Sequence, residues 1–262
     1  MMDHEMPKFI EAFETVRDVA LGEHETLPGE GEYFVLDTLD AVRELIEMYE
    51  EDGTKVAVDT ETGSLYWFQT DFPALLCFSL TNRAGEGYVI PLDHKESPWR
   101  IGGPLEHERE ELFELIGRLL ENPEIEKILQ NGKFDHKHMF HATGYQLINY
   151  RDTMLTHLVL DERKGTHGLK QLAYTYSGMG GYEQPMDDYR ATHPEANPKR
   201  GGSYANIPGE FLFPYAAMDA DVTFRCDDGL LAEPEYVNNP KFQTLAEVFL
   251  PALACTILPL PA

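Results

Sequence analysis

The run "KVAVDTET" (residues 55–62) sets two carboxylates, Asp59 and Glu61, at alternate positions on the end of an otherwise apolar strand. Strand side chains alternate faces, so an i, i+2 pair turns to the same side as the chain leaves the sheet. A strand end is an expensive place for two like charges, which repel unless cations neutralise them. Whatever the chain folds into must open there.

The surrounding segments fix the layers. "YFVLDTLDAVRELIEMYEEDG" reads as a short strand and then a helix with Leu39, Val42, Leu45, Ile46 and Tyr49 on one face, closed by Gly53. "KVAVDTET", "ALLCFSLT" and "GEGYVIPL" read as a three-stranded meander, with Leu76, Phe78 and Leu80 in the core. A helix follows with Leu112, Leu115, Ile116, Leu119 and Leu120 at helical spacing. "IEKILQN" is the next strand, "KFDHKHMFHATG" a helix stopped by Gly144, and "QLINYRDTMLTHLVLDE" a strand running into a helix. The order βββαβαβα implies an α/β layered domain with its crevice at the carboxyl ends of the central strands. Residues 178–209, dense in Gly and Pro, are expected to be a long loop, and residues 1–32 an acidic appendage with a helix at "FIEAFETVRDVAL".

Charge narrows the function. With 46 acids against 21 bases the net charge is −25, which argues against a duplex-coating protein. The excess is uneven: residues 1–58 carry 16 acids and 4 bases, residues 123–230 carry 15 and 11, so an anionic ligand is expected in the second stretch. Hydrophobic residues at 42% support one sizeable core, and three separated cysteines fit a reducing compartment. The longest apolar stretch, "FLPALACTILPLPA", holds three prolines and is too short for a bilayer, so no membrane partner is expected and the chain reads as intracellular.

Two further carboxylates stand out. Asp135 opens the helix after the fourth core strand, and Asp219 lies in "FPYAAMDADVTFRCDDGLL" with Tyr215 one turn earlier. Oxygen-only ligands suit Mg²⁺ or Mn²⁺, and four acids suit two such ions. Asp221, Asp227 and Asp228 are assigned to capping or solvent. His136, His138 and His141 do not share one helix face, which argues against zinc, and "KGTHGLK" reads as a turn with His167 making a substrate or structural contact.

"VAVDTETGSL", "LQNGKFDHKHM" and "YAAMDADVT" resemble, in order and separation, the three motifs of the 3′→5′ proofreading exonuclease domain of family A DNA polymerases. The resemblance covers about residues 33–255 and implies an RNase H-like α/β domain with a mixed five-stranded sheet flanked by helices. It divides the chain into an appendage at 1–32, an exonuclease domain at 33–232, and a tail at 233–262 like the junction to a polymerase half that this chain lacks. By this likeness Asp59, Glu61, Asp135 and Asp219 form a DEDD metal set, with Asp59, Glu61 and Asp219 on the tighter ion and Asp135 reaching the second through water. Tyr215 defines the tyrosine subclass, since Pro214 stands where the histidine subclass has its base. Tyr215 and Glu61 orient the attacking water, Leu65 packs on the terminal base, and Thr60, Gln130, Asn131 and Phe134 contact the last nucleotides. Ions about 3.5–4 Å apart would activate the nucleophile and stabilise the leaving 3′ oxygen. The implied partner is a single-stranded DNA 3′ end, with a polymerase domain or subunit nearby, in the cytoplasm of a bacterium or phage-infected cell. An RNase D-like exoribonuclease shares the same residues, and a non-catalytic scaffold would typically have lost one; the flanks favour DNA and all five are present.

Overall fold

The computed structural model describes residues 31–53, 55–69 and 71–240. The helix expected at "FIEAFETVRDVAL" and the apolar end of the tail lie outside the described residues. One sheet is built from β1 (Glu32–Val35), β2 (Val56–Glu61), β3 (Cys77–Thr81), β4 (Glu86–Pro91), β5 (Lys127–Leu129) and β6 (Tyr150–Asp152), in the order β1-β4-β3-β2-β5-β6. β2, β3 and β4 form the expected antiparallel meander, while β5 and β6 add in parallel on the β2 side. The strand count needs one correction: among the described residues the sheet has six strands and not five, because β1 pairs in parallel with β4, Glu32 opposite Glu86 and Val35 opposite Val89. That pairing covers β4's otherwise open edge.

The helices are α1 (Leu39–Asp52), α2 (Arg109–Leu120), α3 (Gly132–Thr143), α4 (Thr153–Leu160), α5 (Leu169–Leu172), α6 (Gln184–Thr192), α7 (Gly209–Leu231) and α8 (Pro234–Val237). Thr38 caps α1 by accepting the Ala41 N–H, and Gly53 ends it with φ 59°, a left-handed conformation that glycine adopts without a Cβ clash. The apolar faces of α1 and α2 cover one side of the sheet, where Val42, Ile46, Tyr49, Leu112, Ile116 and Leu119 pack with Val56, Val58, Phe78, Leu80 and Ile90. On β2 this leaves Ala57, Asp59 and Glu61 pointing to the other side.

That other side belongs to α7. Ala216 and Ala217 pack with Leu76, Cys77 and Val89, and Phe224 with Ala57 and Ile128. The approach is close: a Cβ on Gly87 of β4 would come 2.6 Å from the Ala217 carbonyl oxygen, so a side chain there would displace the helix.

Residues 178–209 are not the long loop expected from their composition. They contain α6 and short 3₁₀ turns at Pro194–Ala196, Pro198–Arg200 and Tyr204–Asn206, and they bury Met179, Tyr182, Met186 and Ala196. Pro185, Pro194 and Pro198 each stand in the first turn of such an element. The missing N–H costs nothing there, so residues that read as loop markers are helix starts.

The assignment of Asp221 and Asp227 to caps or solvent is also corrected, for both are fully buried. Asp221 accepts from the Tyr33 hydroxyl, the Gly85 N–H and Arg225, tying α7 to β1 and the β3–β4 turn. Asp227 pairs with Arg151 of β6 at 2.9 Å and with Lys55 at 2.5 Å. Asp228 is exposed as expected and reaches Lys55 from outside at 2.6 Å. Removing Asp227 would leave Arg151 with only the partly exposed Glu126, at 2.8 Å, and would take from both Arg151 and Lys55 their buried partner. Asp227→Ala is therefore expected to lower unfolding free energy by about 3–5 kcal/mol in urea titration, and a loss below about 1 kcal/mol would mean that water already solvates the pair.

Candidate active site

Strand alternation on β2 and the close docking of α7 bring Asp59, Glu61 and Asp219 together. One carboxylate oxygen from each lies within 4.8 Å of the others. Glu61 and Asp219 are buried and Asp59 is half-buried. Tyr215 lies one turn before Asp219 on α7, and its ring runs parallel to that of Tyr182 at 6.1 Å between centroids. The Tyr182 hydroxyl donates to Asp219 Oδ1, and the Tyr215 hydroxyl also bonds this carboxylate.

Asp135 comes from the opposite side of β2. Asn131 takes a left-handed turn (φ 59°) into α3, and Asp152 accepts both the Asn131 and Gly132 N–H groups at 2.9 Å, fixing the helix start against β6. One turn in, the buried Asp135 accepts the Thr60 hydroxyl at 2.5 Å. It stands outside the three-carboxylate cluster, yet its charge is felt by both Asp59 and Glu61.

Burial and mutual repulsion act in one direction. Burial, then the neighbouring acids, pushes Asp59 and Glu61 well above the ordinary carboxylate range. Burial raises Asp135 to about 7 against the opposing Thr60 hydrogen bond, and Asp219 to about 7 against those from Tyr182 and Tyr215. Arg190 of α6 partly offsets this at Glu61, and Lys170 of α5 at Asp219. A buried, oxygen-only donor set with several negative charges and little local compensation fits a hard divalent cation.

The residues expected at the substrate have distinct surroundings. Leu65 is exposed just beyond β2, and Phe134 is half-buried with its ring 4.3 Å from that of His138. Asn131 is exposed at the start of α3. Thr60 is buried and engaged with Asp135. Gln130 has both ends of its amide occupied: it donates to the His167 carbonyl at 2.7 Å and accepts from Thr153 at 2.5 Å. His167 also meets His157, Nδ1 to Nδ1 at 2.8 Å. Gln130 and His167 thus brace β5 against the turn before α5.

The profile of a 3′–5′ exonuclease family matches residues 33–233. The chain belongs to this family, the exonuclease domain of family A DNA polymerases. It is 30% identical over 248 residues to the DNA polymerase of Escherichia phage T5, covering 91% of this chain and 27% of that protein. With DNA polymerase I of Pseudomonas aeruginosa it shares 28% over 190 residues, covering 71% of this chain and 19% of the relative. The chain thus spans about a quarter or less of the length of these curated relatives. Among solved structures, Trypanosoma brucei RNase D bound to GMP superposes with TM-score 0.59 at 14% identity over 78% of this chain and 58% of that one. Escherichia coli RNase D gives 0.51 at 18% identity, over 85% and 48%. These likenesses show the fold, a mixed α/β sheet of the RNase H-like type flanked by helices.

Sequence reasoning missed Tyr182 and Arg190, because no spacing within "GMGGYEQPMDDYR" links them to a carboxylate on α7 or β2. Between the ordinary range near 4 and about 7, the folded chain holds protons that the unfolded chain has lost. This contribution to stability therefore falls as pH rises through that window. In the absence of divalent cations the melting temperature should drop more steeply from pH 5 to pH 8 in the wild type than in Asp219→Asn. Mg²⁺ should restore the wild type at pH 8, and equal slopes would show that these acids are ionised throughout.

Proposed function

We propose that this chain is a divalent-metal-dependent exonuclease of the tyrosine subclass, releasing nucleoside 5′-monophosphates from the 3′ ends of single-stranded or frayed DNA. The observation that carries the reading is the convergence of Asp59, Glu61 and Asp219, with the Tyr215 hydroxyl on Asp219, in a member of the 3′–5′ exonuclease family. Asp59, Glu61 and Asp219 would hold one ion, and Asp59 with Asp135 a second, Mg²⁺ or Mn²⁺ by the donor chemistry. When bound, such ions supply charge neutralisation and Lewis acidity at the scissile phosphate.

The chain's own groups do the rest. Glu61 and Tyr215 orient a water for attack on the phosphorus, and the bond to the leaving 3′ oxygen breaks as the new P–O bond forms. Tyr182 also holds Asp219, so that the carboxylate keeps its aim when the Tyr215 hydroxyl turns toward the water. Leu65 and Phe134 take the terminal base and sugar, and Asn131 the adjoining backbone. Thr60 acts through Asp135 rather than on the nucleotide. With a chain charge of −25, few phosphates are held and a single strand is admitted where a duplex is repelled. Removing misincorporated nucleotides beside a family A polymerase, on the same chain or another, is the use that fits the phage T5 relative.

The deciding experiment digests matched 5′-labelled single-stranded DNA and RNA with Mg²⁺, Mn²⁺ or EDTA. Metal-dependent shortening of DNA from the 3′ end is expected; preference for RNA would move the substrate to that of RNase D, and no cleavage by folded protein would sink the catalytic reading. Asp219→Ala should lower kcat at least about a thousandfold without loss of fold. Tyr215→Phe should cost about a hundredfold in kcat with little change in KM, and a change in KM alone would contradict its role. Activity should depend shallowly on salt, with a log–log slope no steeper than about −2, as for about three single-strand phosphate contacts.

A further inference from the structure

Immediately after Leu65, the chain exposes Tyr66, Trp67 and Phe68 at 55%, 37% and 61%. Consecutive bare aromatics beside a buried acidic centre are unusual on a soluble surface, and these are held in place. The Gly63 N–H donates to the Pro73 carbonyl at 3.0 Å, Ser203 donates to the Gly63 carbonyl at 2.6 Å, and His138 of α3 meets the Ser64 carbonyl at 3.2 Å. The rings also meet one another. Trp67 lies 5.5 Å edge-on from Phe68 and 5.4 Å from His141, while Tyr66 lies 5.6 Å from Phe68.

We propose that Tyr66, Trp67 and Phe68 form a stacking platform for the bases of single-stranded DNA that precede the nucleotide at Leu65. The platform deepens the exonuclease reading and rests on it for the direction of the strand. Trp67 meets His141, which stands one turn along α3 from His138, and the His138 ring meets that of Phe134, the neighbour of Asp135. The occupant is argued from this continuity with the candidate site and from charge. Lys133 and Lys137 stand one turn apart on α3, whose single acid, Asp135, is buried, so this helix carries positive charge in a chain of −25. Every base has a π face, so stacking holds a strand of any sequence where phosphate contacts are few.

The protein supplies its own probe. Of its two tryptophans Trp99 is fully buried, so emission that DNA changes comes from Trp67. The experiment titrates the full chain with (dT)₂ and (dT)₁₀ in EDTA, following tryptophan emission together with the anisotropy of 5′-labelled DNA. The expected result is quenching by (dT)₁₀ and little by (dT)₂. Trp67→Ala/Phe68→Ala should raise the Kd for (dT)₁₀ about tenfold, equivalent to about 1.4 kcal/mol, while Ile101→Ala, exposed elsewhere, binds as the wild type. Unchanged emission, or an unchanged Kd in the double variant, overturns the platform and leaves the patch to a protein partner. Mononucleotide release from (dT)₁₀ with Mg²⁺ is scored separately. Quenching without release keeps the platform and removes the exonuclease reading; release without quenching does the reverse.

Discussion

The structure is organised around a repulsion. Three carboxylates of like charge share a space under 5 Å across, with Asp135 close enough to add to the field. Nothing local compensates them fully, and their raised proton affinity records the cost. Such an arrangement persists only when the packing around it is strong enough to impose it. Here that strength comes from the α1/α2 core on one face of the sheet and the tight seating of α7 on the other, where Gly87 and Ala217 let backbone meet backbone.

The same helix is held by charges that are compensated. Asp221 and Asp227 lie two and eight residues beyond Asp219, fully buried, and each is matched: Asp221 by Tyr33 of β1, the Gly85 N–H and Arg225 of α7 itself, Asp227 by Arg151 of β6 and by Lys55 just before β2. α7 therefore carries two kinds of buried acid. Those joined to Tyr33, Gly85, Arg151 and Lys55 fix the helix in register, and the third is left among other acids. Pairing with cations, and not burial, distinguishes Asp221 and Asp227 from Asp219, since burial is common to all three.

Around this centre the polar links all serve alignment. Asp152 pins the start of α3, Thr60 holds Asp135, and Tyr182 and Tyr215 hold Asp219. Gln130 and His167 belong to the same bracing, with both ends of the Gln130 amide used inside the protein. Beyond the end of β2 the exposed residues Leu65, Tyr66, Trp67 and Phe68 are apolar and aromatic instead.

Much of this was legible in the sequence because it is local. Alternation on β2 put Asp59 and Glu61 on one side, helical spacing gave the faces of α1 and α2, and Tyr215 and Asp219 share a face by being four residues apart. The joining of the first strand to the sheet, the helical order within residues 178–209 and the burial of Asp221 and Asp227 were not legible, because each depends on a partner far along the chain. β1 needs the open edge of β4, Asp227 needs Arg151, and Tyr182 needs the turn of α7 that carries Asp219. Proline and glycine counts misled for the same reason, since a proline marks a loop or a helix start according to what the next turn packs against. The sequence by itself determined which residues are candidates for the chemistry, because side-chain identity and short-range periodicity are written residue by residue. Only the tertiary structure decided which acids are paired and which are left to repel, because that depends on distances set by packing across the sheet.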